Sequence, residues 1–260
     1  MTDKFTRIVW NVIRESDIIV EVLDARDPLG TRSKKLESFV QRFDDKKLVL
    51  LINKVDLVPK YIINKWVELF SKEFPTFYMS NKRGFKKYIT FFKNQLLKMI
   101  DIRPIRVSLV GYPNVGKSSI INAIRKKKVA PTSPLAGFTR GKKYISVFSG
   151  EILLIDTPGV IPYLKEDEVE LIIKGAIRPD KITDLFKAVD ELLLIIDKKE
   201  IRRKYDIIYD SSEDFLNKLA LKRGKLLAGG KPDINAAAKI FINEFQRGKI
   251  NYYIRPPNLQ

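Results

Sequence analysis

The chain has no cysteine and no histidine. That excludes disulfides, thiolate- or imidazole-bound zinc, and nucleophile pairs of the Ser–His or Cys–His kind. Long apolar runs are missing too. None approaches the roughly 20 residues that a helix needs to cross a bilayer. The opening stretch, MTDKFTRIVWNVIRESD, mixes charges with an apolar stripe and lacks the continuous apolar core of a secretion signal. Together these absences predict a cytoplasmic protein without membrane or zinc partners.

What is present is positive charge. Lys and Arg number 49 against 31 Asp and Glu, giving a net charge of +18 over 260 residues. Such an excess points to a polyanionic partner, nucleic acid ahead of a membrane surface. The plain alternative is a solvated surface of the kind that heat-tolerant proteins carry. Hydrophobic residues make up 45%, enough for one large domain or one domain with a smaller companion.

Periodicity predicts the elements. Helical spacing covers residues 4–15, 33–43, 60–72 and 85–100, and KSSIINAIRK adds another helix. Apolar runs at 17–23, 47–53, 76–82 and 105–111 read as buried strands, with two more strands within 142–159. Alternation of this kind predicts a mostly parallel, three-layer α/β sheet. After about residue 180 only helical patterns remain. Ser212 or Ser211 caps one of them, Gly224 stops it, and the final residues with Pro256 and Pro257 read as a frayed tail. The expected domains are 1–178, α/β, and 179–260, small and all-α.

The chemistry lies in short motifs. Gly111-Tyr112-Pro113-Asn114-Val115-Gly116-Lys117-Ser118 fits G-x-x-x-x-G-K-S between a strand and a helix, the context of a phosphate-binding loop. Its amides and the helix start face an anion, Lys117 reaches the β- and γ-phosphates, and Ser118 ligates Mg²⁺. Asn114, Val115, Gly116, Lys117, Ser118 and Ser119 are the nucleotide-binding candidates here. Asp156-Thr157-Pro158-Gly159 ends an apolar strand; Asp156 suits the Mg²⁺ hydration shell and Gly159 the γ-phosphate. Between them, Thr139 is the candidate to close on Mg²⁺ and the γ-phosphate, against the plain reading of a basic surface loop. Lys117, Thr139, Gly159 and Asn114 form the expected catalytic set. Asn53-Lys54-Val55-Asp56 fits N-K-x-D. The Asp56 carboxylate accepts from the two N–H groups of guanine's pairing edge, which adenine cannot offer. Ser80-Asn81-Lys82 resembles the loop whose backbone meets guanine O6.

The order of these motifs is unusual. A conventional GTPase runs phosphate loop, Thr switch, D-x-x-G, N-K-x-D, Ser loop; here N-K-V-D and S-N-K come first. The cyclic order is kept, so the expected fold is a P-loop GTPase with circularly permuted topology, its conventional ends joined through the helix at 85–100. These residues resemble the circularly permuted GTPases, in particular the YlqF-related ribosome-assembly family, over essentially the whole chain. Asp24-Ala25-Arg26-Asp27-Pro28 is similar to that family's D-A-R motif; a strand-end salt bridge is the plain reading of Asp24 and Arg26. FLNKLALKRGKLLAGGKPDINAAAKIFINEFQRGKI resembles the family's helical domain, which implies large-subunit rRNA and the ribosomal particle as partners; the sequence leaves the oligomeric state open, with a monomer favoured.

In many GTPases a Gln after D-x-x-G positions the attacking water. Here Val160 and Ile161 follow Gly159. The resemblance implies a GTPase that converts GTP to GDP slowly alone and faster on its assembly partner. Asn114 matches the Asn that holds K⁺ in potassium-stimulated relatives, where the cation acts as an arginine finger does. The alternative is a nucleotide-gated RNA-binding scaffold with little hydrolysis. Residues 181–260 hold 16 Lys and Arg against 11 Asp and Glu, only +5. The denser clusters are Arg125–Lys128, Arg140 with Lys142 and Lys143, and Lys82, Arg83, Lys86 and Lys87. In the helical part Lys218, Lys222, Arg223, Lys225 and Lys231 are the expected phosphate-facing ridge, against a solvated face.

Overall fold

The computed structural model describes residues 4–80, 82, 84–126, 144–155 and 167–257. Clustering of its packing divides the chain into two compact units, Met1–Pro162 with Ile254–Gln260, and Tyr163–Tyr253.

The first unit is a six-stranded sheet flanked by helices. After α1 (Lys4–Glu15) come β1 (Ile18–Asp24), α2 (Lys34–Val40), β2 (Lys47–Asn53), α3 (Lys60–Phe70) and β3 (Thr76–Tyr78). They are followed by α4 (Phe85–Met99), β4 (Ile105–Val110), α5 (Lys117–Lys126), β5 (Tyr144–Val147) and β6 (Ile152–Ile155). The strand order is β3-β2-β1-β4-β6-β5, parallel except for β5 against β6. Every residue of β1 is buried, as expected of a central strand covered on both faces. The strand expected over 76–82 is shorter, Thr76–Tyr78, although the Met79 N–H still donates to the Ile52 carbonyl of β2 at 2.8 Å before the chain enters the loop. The chain reverses its winding between β1 and β4, the topological switch point where open α/β sheets bind ligands at their carboxyl ends.

Two features break the apolar pattern. Glu21, in the middle of β1, has no exposed surface. The Ser33 N–H donates to its Oε1 at 2.7 Å, and burial beside Glu37 pushes its carboxyl up to about 8. It is therefore a neutral acid at neutral pH, which is how a carboxyl tolerates such a place. Arg32 is also buried. It pairs with Glu37 (2.7 Å) and Glu73 (2.9 Å) and stacks over Phe70 at 4.5 Å.

The described part of the expected tail, residues 254–257, is tied down rather than frayed. The Ile254 N–H donates to the Arg26 carbonyl at 2.7 Å. Trp66 Nε1 donates to the Ile254 carbonyl at 3.2 Å, and Pro256 is buried. Two hydrogen bonds and a buried ring outweigh the disorder that terminal prolines otherwise bring.

The second unit is helical: α6 (Glu168–Ile173), α7 (Leu185–Ile195), α8 (Lys198–Tyr205), α9 (Ser212–Lys222) and α10 (Ile234–Gln246). Phe215, Phe241 and Phe245 form its centre, with Phe215 and Phe241 edge to face at 5.0 Å. Ser211 caps α9 by accepting from the Asp214 N–H, and Gly224 ends it at φ +60°. Ile172 of α6 belongs to this core, so the second unit begins before residue 179. Among the described residues no helix is long and apolar enough to cross a membrane.

Candidate nucleotide site

The loop after β4 runs from Gly111 to Gly116 and delivers Lys117 to the first turn of α5. Gly111 cannot be replaced by a larger residue. It sits at φ +143°, and a Cβ there would lie 2.4 Å from the Val22 carbonyl of β1. Gly116 adopts φ +109° and Asn114 φ +61°, so the loop curls tightly before the helix. Lys117 is half-buried within that curl. Its ammonium donates to the Gly111 carbonyl at 2.6 Å and the Tyr112 carbonyl at 2.5 Å. Burial, with the Lys54 charge nearby, lowers its pKa to about 8. Asn114, Ser118 and Ser119 are exposed, while Val115 is buried.

The loop after β2 meets this one. Asn53, fully buried, donates from Nδ2 to the Val115 carbonyl at 2.8 Å. That bond spans 62 residues of sequence and crosses the end of β1. Asn53 Oδ1 has no hydrogen-bond partner among the described residues. Lys54 follows in the left-handed region at φ +65°. Asp56 accepts from Ser80 Oγ at 2.7 Å and pairs with Lys82 at 3.0 Å. Burial opposes its charge, but those two partners win and hold its carboxyl below the usual carboxylate range. Thus Asn53, Lys54, Asp56, Ser80, Val115 and Lys117 are linked through the converging ends of β2, β3 and β4.

The D-A-R loop after β1 braces the arrangement. Asp24 Oδ2 accepts from Lys54 Nζ at 2.7 Å and from Arg26 Nη2 at 2.8 Å. Its Oδ1 accepts from the Arg26 backbone N–H at 3.0 Å and from Arg26 Nε at 2.9 Å. Burial works against this charge, yet the two cations hold the carboxyl far below the ordinary range. Arg26 thus supplies the strand-end salt bridge, and Asp24 also reaches the guanine-motif lysine. The Lys54 link escaped sequence reasoning, because nothing in the spacing of residues 24 and 54 marks it. Thr31 is a second omission: its hydroxyl accepts from the Asp24 N–H at 3.0 Å and donates to the Asp27 carbonyl at 2.6 Å. Asn81, Thr139, Asp156, Gly159 and Val160 lie outside the described residues.

Comparison with known proteins now adds to this geometry. Residues 106–225 match the family described as 50S ribosome-binding GTPase. Nucleolar GTP-binding protein 2 of Yarrowia lipolytica is 38% identical over 97% of this chain and 52% of its own length. Nucleolar GTP-binding protein 2 of Saccharomyces cerevisiae is 39% identical over 96% of this chain and 53% of its own. The crystal structure of GNP-bound YlqF from T. maritima superposes with a TM-score of 0.68 at 28% identity, covering 96% of this chain and 97% of that one. In sequence and in fold the chain is similar to the YlqF-related circularly permuted GTPases. The permuted order of the motifs therefore has its structural counterpart: β2 and its N-K-x-D sit upstream of β4 and its phosphate loop, in one sheet.

The chain spans about half the length of the curated relatives it matches. Their names also overturn the cytoplasmic expectation, since they are called nucleolar, or in Arabidopsis thaliana nuclear/nucleolar. A missing secretion signal and missing apolar spans separate aqueous from membrane compartments. They do not separate the cytoplasm from the nucleus.

Proposed function

We propose that the chain binds GTP and Mg²⁺ at this site, hydrolyses GTP to GDP and phosphate, and acts in large ribosomal subunit assembly through contact with rRNA. The observation that carries this reading is the Asn53–Val115 bond, which joins the guanine motif to the phosphate loop. A loop of amides at a helix start, with a half-buried lysine, suits a triphosphate. The Ser118 hydroxyl at the start of α5 suits Mg²⁺, with Thr139 and Asp156 completing the set. The metal would offset charge on the β- and γ-phosphates. Asn114, exposed on the loop, is the residue to hold K⁺ near those phosphates.

The α/β part carries the nucleotide and the helical part contributes to RNA contact. Three of the five cations expected on the helical ridge have acidic neighbours: Lys218 with Asp214, Lys222 with Asp206 and Arg223 with Glu244. Exposed pairs of this kind contribute only about 0–1 kcal/mol, so phosphates can displace them. A nucleolar or nuclear setting, as in the relatives' names, fits this role.

Val160, in place of a water-positioning Gln, favours a second reading, a nucleotide-gated scaffold with little turnover. Single-turnover hydrolysis with and without precursor large subunits separates the two. Stimulation by the particle supports the enzyme. Nucleotide-dependent binding without turnover supports the scaffold.

A further inference from the structure

β3 is an outer strand of the sheet. Alternate residues of a strand bond the same neighbour. The Leu50 N–H donates to the Pro75 carbonyl and the Met79 N–H to the Ile52 carbonyl. Residues 75, 77 and 79 therefore face β2, and the backbone groups of Thr76 and Tyr78 face away from it. Along this strand, between α3 and α4, lies a groove of about 650 Å³. Its walls are apolar: Ile63 and Val67 from α3, Phe77 and Tyr78 from β3, Tyr88 and Phe91 from α4. Phe91 is 56% exposed although it packs edge-on to Phe77 at 6.1 Å. Contiguous with the groove's other apolar walls, this ring extends them into one exposed apolar patch, the kind of surface suited to a partner.

The charge around it has one sign. Lys60 and Lys87 line the groove, and Lys86 stands beside Phe91 on the adjoining face of α4. Among the described residues no Asp or Glu lines it, and none of these three lysines forms an ion pair. Other lysines nearby have found acids: Lys65 pairs with Glu68 and Lys82 with Asp56.

We propose that this groove docks a short extended peptide of a partner protein, with an apolar anchor flanked by Asp or Glu, laid beside β3. A free strand edge offers donors and acceptors at peptide spacing. The apolar volume takes one large side chain, and the lysines take the flanking carboxylates. RNA would use the lysines but leave the strand edge and the apolar walls unmatched. β3 has only three residues, so backbone pairing is brief and the anchor supplies most of the affinity.

The test is panning of a random-peptide display library on the intact chain. Enriched peptides are then titrated by fluorescence anisotropy against the native chain, Lys87→Glu and Phe91→Ser. Lys87 is exposed, so Lys87→Glu leaves the fold intact; Phe91→Ser also gives up the edge-on contact with Phe77, so an unchanged circular dichroism spectrum is required of it before its binding is compared. The expected winners carry an aromatic or aliphatic anchor with acidic flanks. They bind in the micromolar range and lose about tenfold or more in each variant. Winners without acidic flanks, or no winners at all, would overturn the proposal. So would equal binding by both variants, or displacement of the peptide by a uridine oligonucleotide, which would assign the face to RNA.

Discussion

Replacing Asn53 tests the joint between the two halves of the nucleotide site. Its Nδ2 donates to the Val115 carbonyl at 2.8 Å, and the side chain has no exposed surface. In Asn53→Ala the Val115 carbonyl loses that partner inside the protein, at a cost of ~1–3 kcal/mol. The small void adds a fraction of the ~2 kcal/mol lower limit of larger core truncations. For a unit of this size each kcal/mol lowers Tm by about 2–4 °C, so the lost hydrogen bond alone gives a fall of about 2–12 °C and the void adds to it. Asn53→Asp is the sharper probe. It keeps the shape but puts a carboxylate oxygen against a carbonyl oxygen, so it must be worse than alanine at neutral pH. Burial raises the pKa of the new acid, and its penalty is present above the unfolded pKa and fades as pH falls, because the protonated acid can donate. Both variants also free the phosphate loop, so labelled GDP binds at least about tenfold more weakly, equivalent to ~1.4 kcal/mol. Differential scanning fluorimetry from neutral to mildly acidic pH reads the stability, and fluorescence titration reads the affinity. If Asn53→Asp matches the native chain at neutral pH, the amide–carbonyl bond does not hold the loops together and the reasoning fails.

Other predictions follow from the same network. Asp24→Asn removes the charge that Arg26 and Lys54 share, and breaking such a buried pair costs about 3–5 kcal/mol in a chemical denaturation experiment. Because the folded pKa of Asp24 is depressed, its contribution is present above the unfolded carboxylate pKa and is lost as pH falls below it; the Asn variant shows a flatter acid limb. Lys117 has a pKa lowered to about 8, so nucleotide affinity falls above that pH, by up to about tenfold per pH unit. Calorimetric titration of GDP against pH shows this slope in the native chain and its loss in Lys117→Met. Glu21, raised to about 8, makes the fold less stable as pH climbs from the ordinary carboxylate range to that value. Glu21→Gln therefore gains stability relative to the native chain across the same window, measured by urea unfolding.

Much of the fold could be read from the residues because buried parallel strands announce themselves. LVLLIN is apolar on both faces up to its final Asn, and IRVSLVG is interrupted only by Arg106 and Ser108; β2 and β4 occupy those stretches. Capping chemistry was also readable: Ser211 and Gly224 bound α9 through local bonds that depend on their own side chain or on freedom at φ. What sequence could not show was non-local. α8 has only Ile201 and Tyr205 buried in a run of Lys and Arg, too few apolar positions to set a period. Glu21 and Arg32 look like surface residues until the Ser33 amide, Glu37 and Glu73 arrive from elsewhere in the chain. The segment before the terminal prolines looked unanchored because the partners of Ile254, Arg26 and Trp66, lie far upstream. The motif residues of the site were named by their chemistry, whereas the Asp24–Lys54 brace was not, since 30 residues separate its ends.

The central claim is that the loops ending β2 and β4 form one guanine-nucleotide site. Competition of GTP, ATP and xanthosine triphosphate against labelled GDP, in the native chain and in Asp56→Asn, tests it most directly. The native chain should prefer GTP to ATP by about 10⁴-fold, because adenine leaves the Asp56 carboxylate without its donors. The variant should prefer xanthosine triphosphate, whose ring carbonyl meets the new amide. Equal affinity of the native chain for ATP and GTP, or an Asp56→Asn chain that still favours GTP, would contradict the account.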